Sequence, residues 1–213
     1  MKHLSVYSKD EDILTAIDDI HLRGKWYDLD CTYSKGVFWK NINPPRIKGD
    51  ILPLEADVMK LDATKLIGIE NNSLNSIVFD PPFLFRKRKS DNHDKMCVRF
   101  SFFQTFEDLM KMYKESLNQF YRVLRNGGYL LFKCQDMTDN KLFCTHNEII
   151  NYATSIGFEL KDIAIKVTQK KLQREARQQN CFAKTHSYWL IFKKVGKSNE
   201  SKSHKANDIQ NNL

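Results

Sequence analysis

The sequence predicts an α/β protein in which helices cover both faces of a central sheet. Three observations support this prediction: strand-like and helix-like runs alternate along the chain, several runs stop at Gly or Pro, and acidic residues follow several predicted strands. A layered arrangement is expected because each helix must bury its apolar stripe against another element. Ligands of such sheets gather at the carboxyl ends of the strands, so functional residues are expected there.

Three segments have the apolar spacing of amphipathic helices. The first begins after Ser8, which can form a capping box with Glu11, and it ends near Gly24. The second covers residues 106–124 with its apolar side chains on one stripe, and the third covers about 146–155.

Six short runs are predicted to be strands because they are rich in β-branched, aromatic and other apolar residues. They cover residues 26–30, 46–51, 76–79, 129–133, 160–167 and 187–192. The run 76–79 stops at Pro81, since proline cannot continue a central strand. Polar residues that end or closely follow strand candidates are Asp30, Asp50, Asp57, Asp80 and Lys133.

Length and composition fit one domain of catalytic size. The chain has 213 residues, of which 41% are apolar and 28% charged, as in globular proteins. We expect residues 1–195 to form this domain and the polar residues 196–213 to be a disordered tail. No apolar run approaches the roughly 18–20 residues that span a bilayer. The amino terminus also lacks the apolar region of a signal peptide, so we expect a cytoplasmic protein without membrane contact.

The five cysteines predict neither disulfides nor a metal site. Their number is odd, and no two of them form a C-x-x-C pair. The residues that could in principle meet around zinc are Cys144, His146, Cys181 and His186, but structural zinc sites normally take their ligands from close pairs. We therefore expect reduced thiols and no metal.

Positive charge is concentrated in two segments, 84–99 and 166–184. The summed net charge of these two segments exceeds the net charge of the whole chain, which is +8. The rest of the chain is about neutral, so these segments are candidates for contact with a polyanion such as nucleic acid. A solvated charged face is the alternative interpretation. The residues expected to bind substrate are Arg86, Lys87, Arg88, Lys89 and Lys133.

The tetrapeptide Asp80-Pro81-Pro82-Phe83 is the strongest local signal. The Asp80 carboxylate and the Pro81 carbonyl can act as paired acceptors, since neither proline has a backbone donor. An exocyclic amine offers two N–H groups to such a pair, and holding both draws the nitrogen toward tetrahedral geometry and frees its lone pair. Phe83 can stack on a flat substrate. A proline-rich turn with a surface phenylalanine is the alternative.

With this motif the sequence resembles the class I, Rossmann-like methyltransferases that use S-adenosylmethionine. It is most similar to amino-methyltransferases with a [DNS]-P-P-[YFW] motif, such as small phage and orphan DNA adenine methyltransferases. The resemblance covers roughly residues 5–195, and residues 124–133 match the "L-[KR]-x-G-G" turn and fifth strand of the superfamily. It implies a mostly parallel seven-stranded sheet with helices on both faces and an antiparallel last strand.

The resemblance also implies a site for S-adenosyl-L-methionine, with catalysis by Asp80, Pro81, Pro82 and Phe83. Residues 27–36 take the place of the family's first motif, which normally has several glycines where this chain has only Gly36. Asp50 corresponds to the acid that binds the cofactor ribose, and Asp57 to the acid that reaches the adenine amine. The implied cofactor contacts are Asp30, Thr32, Tyr33, Gly36, Asp50 and Asp57.

The implied reaction is an in-line attack by an amine nitrogen on the sulfonium methyl carbon, which requires positioning but neither a metal nor a covalent nucleophile. We expect a nucleic-acid base as the substrate. Adenine N6 in DNA is favoured over cytosine N4, because Asp leads the tetrapeptide in most adenine enzymes of the resembling family. The alternatives are adenine N6 in RNA, protein lysine, and a basic nucleic-acid-binding module without activity. The sequence predicts no oligomeric state.

Overall fold

A computed structural model describes residues 2–85, 103–139, 141–168 and 182–195. Its helices are α1 (Asp10–Ile17), α2 (Phe106–Val123) and α3 (Thr145–Ser155). Its strands are β1 (Val6–Tyr7), β2 (Leu29–Asp30), β3 (Ile47–Asp50), β4 (Met59–Lys60), β5 (Leu74–Phe79), β6 (Leu124–Cys134), β7 (Met137–Asp139), β8 (Lys141–Phe143), β9 (Phe158–Val167) and β10 (His186–Lys194).

Eight of these strands form one sheet in the order β1-β9-β10-β6-β5-β2-β3-β4, and β7 and β8 form a separate hairpin. All neighbours in the large sheet are parallel except β10, which is antiparallel to both β6 and β9. The predicted mostly parallel sheet with an antiparallel last strand is therefore confirmed. The large sheet has eight described strands instead of the predicted seven, because Val6 and Tyr7 pair with the edge of β9.

The sheet separates two apolar cores, each covered by helices. Alternation along the strands sends Val78 and Leu131 to the face covered by α1, whereas Ile77 and Phe132 face α2 and α3. All four side chains are completely buried. Burial on both faces explains why the central strands are continuous apolar runs without alternation. The predicted arrangement of helices on both faces is thus confirmed.

The first helix differs from its prediction at its start, whereas its helical continuation ends near Gly24 as predicted. Lys9 occupies the N-cap position and no side chain caps the helix, so the predicted capping box at Ser8 is wrong. Acidic residues in the first turn favour the helix start instead, through the helix dipole. After α1 the chain continues as a π-helical turn over Asp18–Leu22. This helical segment ends at Arg23, whose backbone is in the left-handed region.

Helix α2 starts where Thr105 accepts a hydrogen bond from the Asp108 backbone at 3.1 Å. It passes directly into β6, whose first residues are irregular: Leu124 pairs with Leu74, but Tyr129 pairs with Ser76. Gly127 has a φ of +81° in this bulge, which explains the glycine at that position. None of the described helices is both long and apolar enough to cross a bilayer. The predicted tail 196–213 lies outside the described residues.

Candidate active site

The carboxyl ends of β2, β3 and β5 lie next to one another and bring three predicted acids to one edge of the sheet. Asp30 ends β2, Asp50 ends β3, and Asp80 directly follows β5. Beside them is a cavity of about 410 Å³, a volume typical of small-molecule sites. Its polar lining consists of Thr32, Ser34, Asp50, Asp62, Thr64 and Asp80, and its apolar lining includes Phe79, Pro81, Phe83 and Leu84.

The turn after β5 is fixed on both sides by hydrogen bonds. The Asp80 backbone N–H donates to Thr32 Oγ1 at 2.8 Å, and the Tyr113 hydroxyl donates to the Pro82 carbonyl at 2.6 Å. Tyr113 is completely buried in α2, so this anchor is rigid. Pro81 is buried, whereas Phe83 is partly exposed in the cavity. The role of Tyr113 was not visible in the sequence, because its contact depends on packing between α2 and the sheet.

Asp80 has a raised pKa and is still ionised near neutral pH. Burial raises its pKa to about 6, and the positive charge of Lys133, whose Nζ is 3.4 Å from Asp80 Oδ2, opposes this rise. Among the described residues, no hydrogen bond to Asp80 Oδ1 is found. The side chain is therefore a carboxylate near neutral pH, with one oxygen available to a ligand.

Asp30 does not line the cavity, and both of its carboxylate oxygens accept hydrogen bonds from other residues of the protein. Its Oδ1 accepts from the Thr32 backbone at 2.8 Å and from Thr32 Oγ1 at 3.1 Å, and its Oδ2 accepts from Trp39 Nε1 at 2.8 Å. Burial raises the pKa of Asp30 to about 7, and the hydrogen bond from Trp39 opposes this rise. Asp30 thus holds the loop after β2 in place instead of contacting a ligand in the cavity.

The loop after β2 presents one of the predicted cofactor residues to the cavity and withholds two others. Thr32 and a further hydroxyl residue, Ser34, line it, whereas Tyr33 and Gly36 do not. Gly36 has a φ of +64°, and a Cβ there would lie 2.6 Å from the Tyr33 hydroxyl oxygen. The single glycine of the loop therefore allows close packing against Tyr33.

The aromatic residues that follow Gly36 leave the cavity open. Trp39 is buried in the core on the α1 side of the sheet, and Phe38 packs against the same core. Neither residue lines the cavity. The aromatic side chains that follow the glycine-poor loop therefore do not block the cavity.

Asp50 and Asp57, which were both predicted to contact the cofactor, differ in whether they line the cavity. Asp50 lines the cavity and accepts from the Ser34 backbone at 2.9 Å and the Leu52 backbone at 2.8 Å. The structure does not bring Asp57 to the cavity, because it is exposed and pairs with Lys48 at 2.6 Å.

Asp62, which the sequence analysis missed, lines the cavity instead of Asp57. Its Oδ1 accepts from the backbone and hydroxyl of Thr64, at 2.9 and 2.7 Å. The available signal was its place directly after buried Leu61 and the short strand β4, which the sequence analysis did not identify as a strand.

Lys133 lies in a different environment from the one predicted. Its side chain is only 7% exposed, and its Nζ lies 3.0 Å from Asp10 Oδ1 as well as 3.4 Å from Asp80 Oδ2. A lysine buried between two carboxylates is not open to a substrate phosphate, so we correct the expected direct contact with substrate. Alternation along β6 directs Lys133 to the α1 face, and no local pattern indicated that Asp10 would meet it there.

The basic residues Arg86, Lys87, Arg88 and Lys89 lie outside the described residues. The two ends of their segment are described, and they lie together: Phe85 and Phe103 form a parallel β-bridge. Phe103 lines the cavity, as does Leu84. The chain therefore leaves and re-enters the described fold at the edge of the candidate site.

The thiols and histidines of the described ranges form no metal site, since no three His, Cys, Asp or Glu side chains come together there as ligands. Cys31, Cys134 and Cys144 are free cysteines, the first two buried. Cys181, one of the four residues considered for zinc, lies outside the described residues.

The fold and the acid-lined cavity define a class of protein, the Rossmann-like methyltransferases. The model of the N6/N4 DNA methylases matches residues 74–212, which include the Asp80 turn, and the chain belongs to this family. The match confirms that the chain is of the predicted amino-methyltransferase class. No curated protein matches the sequence.

Solved structures resemble this chain at low sequence identity. The 1,6-didemethyltoxoflavin N1-methyltransferase of Burkholderia thailandensis, solved with S-adenosylhomocysteine, has a TM-score of 0.54 and 14% identity over 87% of this chain and 78% of that one. A candidate DNA modification methylase from Thermus thermophilus, solved with S-adenosyl-L-methionine, has a TM-score of 0.43 and 14% identity over 65% of this chain. The match covers 55% of the Thermus protein, so this chain spans little more than half of it.

Proposed function

We propose that this protein transfers a methyl group from S-adenosyl-L-methionine to an exocyclic amine of a nucleic-acid base, with adenine N6 in DNA as the target. One observation carries the proposal: Asp80, Pro81 and Phe83 line the same cavity as Asp50 and Asp62. The hydrogen-bond acceptors suited to an amine and the acids suited to a nucleoside cofactor thus line the same cavity. We further propose residues 1–195 as the methyltransferase domain.

The cavity residues suit the groups of the cofactor. In the proposal Asp50 accepts hydrogen bonds from the ribose hydroxyls, and Asp62, instead of Asp57, accepts from the adenine amine. Each carboxylate oxygen can accept more than one hydrogen bond, so the backbone donors already bound to Asp50 leave capacity for a ligand. Bound S-adenosyl-L-methionine supplies the electrophilic methyl group. Thr32 and Ser34 offer hydroxyl contacts where other members of the family offer glycine backbone.

The chemistry on the protein side is proton acceptance and orientation. The Asp80 carboxylate and the Pro81 carbonyl accept the two amine hydrogens and thereby release the nitrogen lone pair from the base. With its pKa near 6, Asp80 is ionised at neutral pH and can receive the proton that the nitrogen loses after methylation. The hydrogen bond from Tyr113 to Pro82 keeps the turn rigid, which suits a reaction limited by positioning.

The substrate side of the proposal rests on Phe83 and the neighbouring basic segment. A base in a duplex must leave the stack to reach Asp80, at a cost of a few kcal/mol, and stacking on Phe83 compensates part of that cost. Arg86 to Lys89 follow this turn in the sequence and are proposed to bind the phosphates that flank the flipped nucleotide. Membership in a DNA methylase family favours DNA over RNA.

The test is transfer of labelled methyl to unmethylated DNA, total RNA and cell protein in parallel. We expect label in DNA, recovered as N6-methyladenine after digestion. Asp80→Ala should lower transfer by at least about 10²-fold while leaving cofactor binding by calorimetry intact. Asp57→Ala is the matched control, since it removes an acid that lies outside the cavity.

Each contrary outcome has a distinct meaning. Label in RNA alone or protein alone would overturn the substrate, and N4-methylcytosine would overturn the target atom. A protein that binds no cofactor at millimolar concentration is not a methyltransferase, and the whole proposal would fail.

A further inference from the structure

Four side chains of alternating charge connect the Asp80 turn to the first helix. Lys133 Nζ lies 3.4 Å from Asp80 Oδ2 and 3.0 Å from Asp10 Oδ1, and Lys166 Nζ lies 3.6 Å from Asp10 Oδ2. The Lys133 and Asp10 side chains are only 7% and 11% exposed. The centre of the row is therefore buried, and its outer members, Asp80 and Lys166, are partly exposed. The row connects the turn after β5 with β6, α1 and β9.

A buried lysine at this position requires an explanation. Removing an ammonium group from water is costly unless oppositely charged groups compensate it. Leu131, two residues earlier on the same face of β6, is apolar and completely buried, so an apolar side chain fits this face. Within the described part of the chain, the acidic groups that meet Lys133 are Asp80 and Asp10.

We propose that Lys133 and Asp10 are positioning residues for methyl transfer: Lys133 holds Asp80 ionised and fixes its Oδ2, while Asp10 takes the larger share of the lysine charge. This inference rests on the proposed function, because it assigns the two residues to the carboxylate that accepts the amine. Neither residue touches the substrate.

The distances explain why both members of the pair are needed. A lysine bound to Asp80 alone would neutralise the carboxylate and weaken it as an acceptor for an amine. Lys133 is closer to Asp10 than to Asp80, so Asp80 keeps much of its negative charge. Asp10 is itself held in place, since Trp189 Nε1 donates to its Oδ1 at 3.0 Å.

The charged groups around Asp80 act in opposite directions on its pKa. Burial is the largest influence and raises the pKa, and Lys133 on β6 is the largest influence that lowers it. Asp10 on α1 raises the pKa, and Lys166 on β9 lowers it. Asp30 on β2 is also electrostatically coupled to Asp80. Removing Lys133 and removing the charge of Asp10 should therefore shift the titration of Asp80 in opposite directions.

The pH profile of methyl transfer tests this. Lys133→Met should move the acidic limb of kcat upward by ~1–3 pH units, the usual effect of losing an adjacent opposite charge. At a pH below the new midpoint, kcat of the variant is then lower than that of the original protein by about tenfold for each pH unit that the midpoint moves. At alkaline pH, where Asp80 is ionised in both proteins, kcat of the variant recovers. Lys133→Arg should keep the limb close to its original place, and Asp10→Asn, which keeps the Oδ1 acceptor for Trp189 but loses the charge, should move it down.

A loss of transfer that is equal at every pH would overturn the inference, because it would indicate a structural defect. Movement of the limb in the same direction for Lys133→Met and Asp10→Asn would also overturn it. Thermal unfolding identifies any variant that does not fold. If Lys133→Met fails to fold, Lys133→Arg and Asp10→Asn still provide the test.

A second measurement is independent of activity. The carbon-13 resonance of the Asp80 carboxyl, assigned by its loss in Asp80→Asn, can be titrated in the original protein and in each variant. An unchanged midpoint in Lys133→Met would overturn the positioning role. Absence of methyl transfer to any nucleic acid would overturn the proposed function instead, and the two failures are distinguishable.

Discussion

Asp30 and Asp80 stand at the ends of neighbouring parallel strands, and they differ in what surrounds each carboxylate. Asp30 is buried and Asp80 is partly exposed in the cavity, and desolvation raises the pKa of each, to about 7 for Asp30 and about 6 for Asp80. Asp30 receives three hydrogen bonds from its own loop and from Trp39. Asp80 shares one lysine with Asp10 and lines the cavity.

The difference shows that the same sequence signal, an acid after an apolar strand, can produce a structural support or a reactive acceptor. The number of donors around the carboxylate decides between the two. A carboxylate saturated by internal donors has little capacity for a ligand, whereas one with an oxygen lacking an internal donor can accept from an amine. The two residues are therefore expected to respond differently to substitution.

The largest expected difference is in catalysis. Asp80→Ala should lower kcat for methyl transfer by ~10²–10⁴-fold, since it removes the proton acceptor of the proposed reaction. Asp30→Asn should stay within about tenfold of the original protein, because Asp30 has no atom in the cavity. Single-turnover kinetics with saturating cofactor measure both. Equal losses in the two variants would contradict the division of roles.

The second expected difference is in stability and has the opposite order. Asp30→Ala leaves the donors of Thr32 and Trp39 without an acceptor, and each buried unsatisfied donor costs ~1–3 kcal/mol. Asp80→Ala should lower the free energy of unfolding by about 1 kcal/mol or less, since Lys133 keeps Asp10 as a partner. Urea denaturation at pH 6 compares them. A larger loss for Asp80→Ala would show that both acids are structural.

The third difference is in the pH dependence of stability. A carboxyl with a raised pKa in the folded state binds more protons there than in the unfolded chain, so its contribution to stability falls as pH rises. For Asp30 this fall extends from about pH 4 to about pH 7, and for Asp80 to about pH 6. The slope is at most ~1.4 kcal/mol per pH unit for one group.

Substitution by Asn should remove the corresponding part of the slope. Denaturation curves between pH 4 and pH 8 for Asp30→Asn and Asp80→Asn, each compared with the original protein, measure it. Identical slopes in all three proteins would show that neither carboxyl is protonated in the folded state within this range.

The smallest expected effect concerns the remaining strand-end acids. Asp57→Ala should leave the free energy of unfolding close to that of the original protein, because its ion pair is exposed to solvent, and should leave cofactor affinity unchanged. Asp62→Ala should weaken cofactor binding by about tenfold, the loss of one hydrogen bond to a charged group. Calorimetric titration distinguishes them, and the reverse order would restore Asp57 as the adenine contact.

The sequence predicted the elements that depend on local pattern. The apolar period of α2 and the continuous apolar runs of β5 and β6 are strong signals, and each element appears at or around its predicted place. The short elements were harder to predict. Strands β1 and β4 have two residues each, so no periodicity can be read from them, and they form only because a neighbouring strand is available.

Some residues of the candidate site were also predictable from local pattern, and others were not. The Asp80 turn is contiguous in sequence and was predictable, as was the strand-end position of Asp50. The roles of Tyr113, Asp10 and Lys133 depend on contacts between residues far apart in the chain, and pattern alone does not reveal such contacts. The sequence did not predict Asp62 in the cavity lining, because the exact end of the two-residue strand β4 is not visible in the sequence.

The position of β10 has a consequence for how the protein is made. Among the described strands this one comes last in sequence, yet it lies between β6 and β9, and its Trp189 holds Asp10 from across 179 residues of chain. The gap between β6 and β9 can close only after the ribosome has added β10. Such non-local pairing makes folding slow. A nascent chain therefore carries the Asp80 turn well before the sheet beside that turn is complete, and the proposed activity should begin only once synthesis has passed β10.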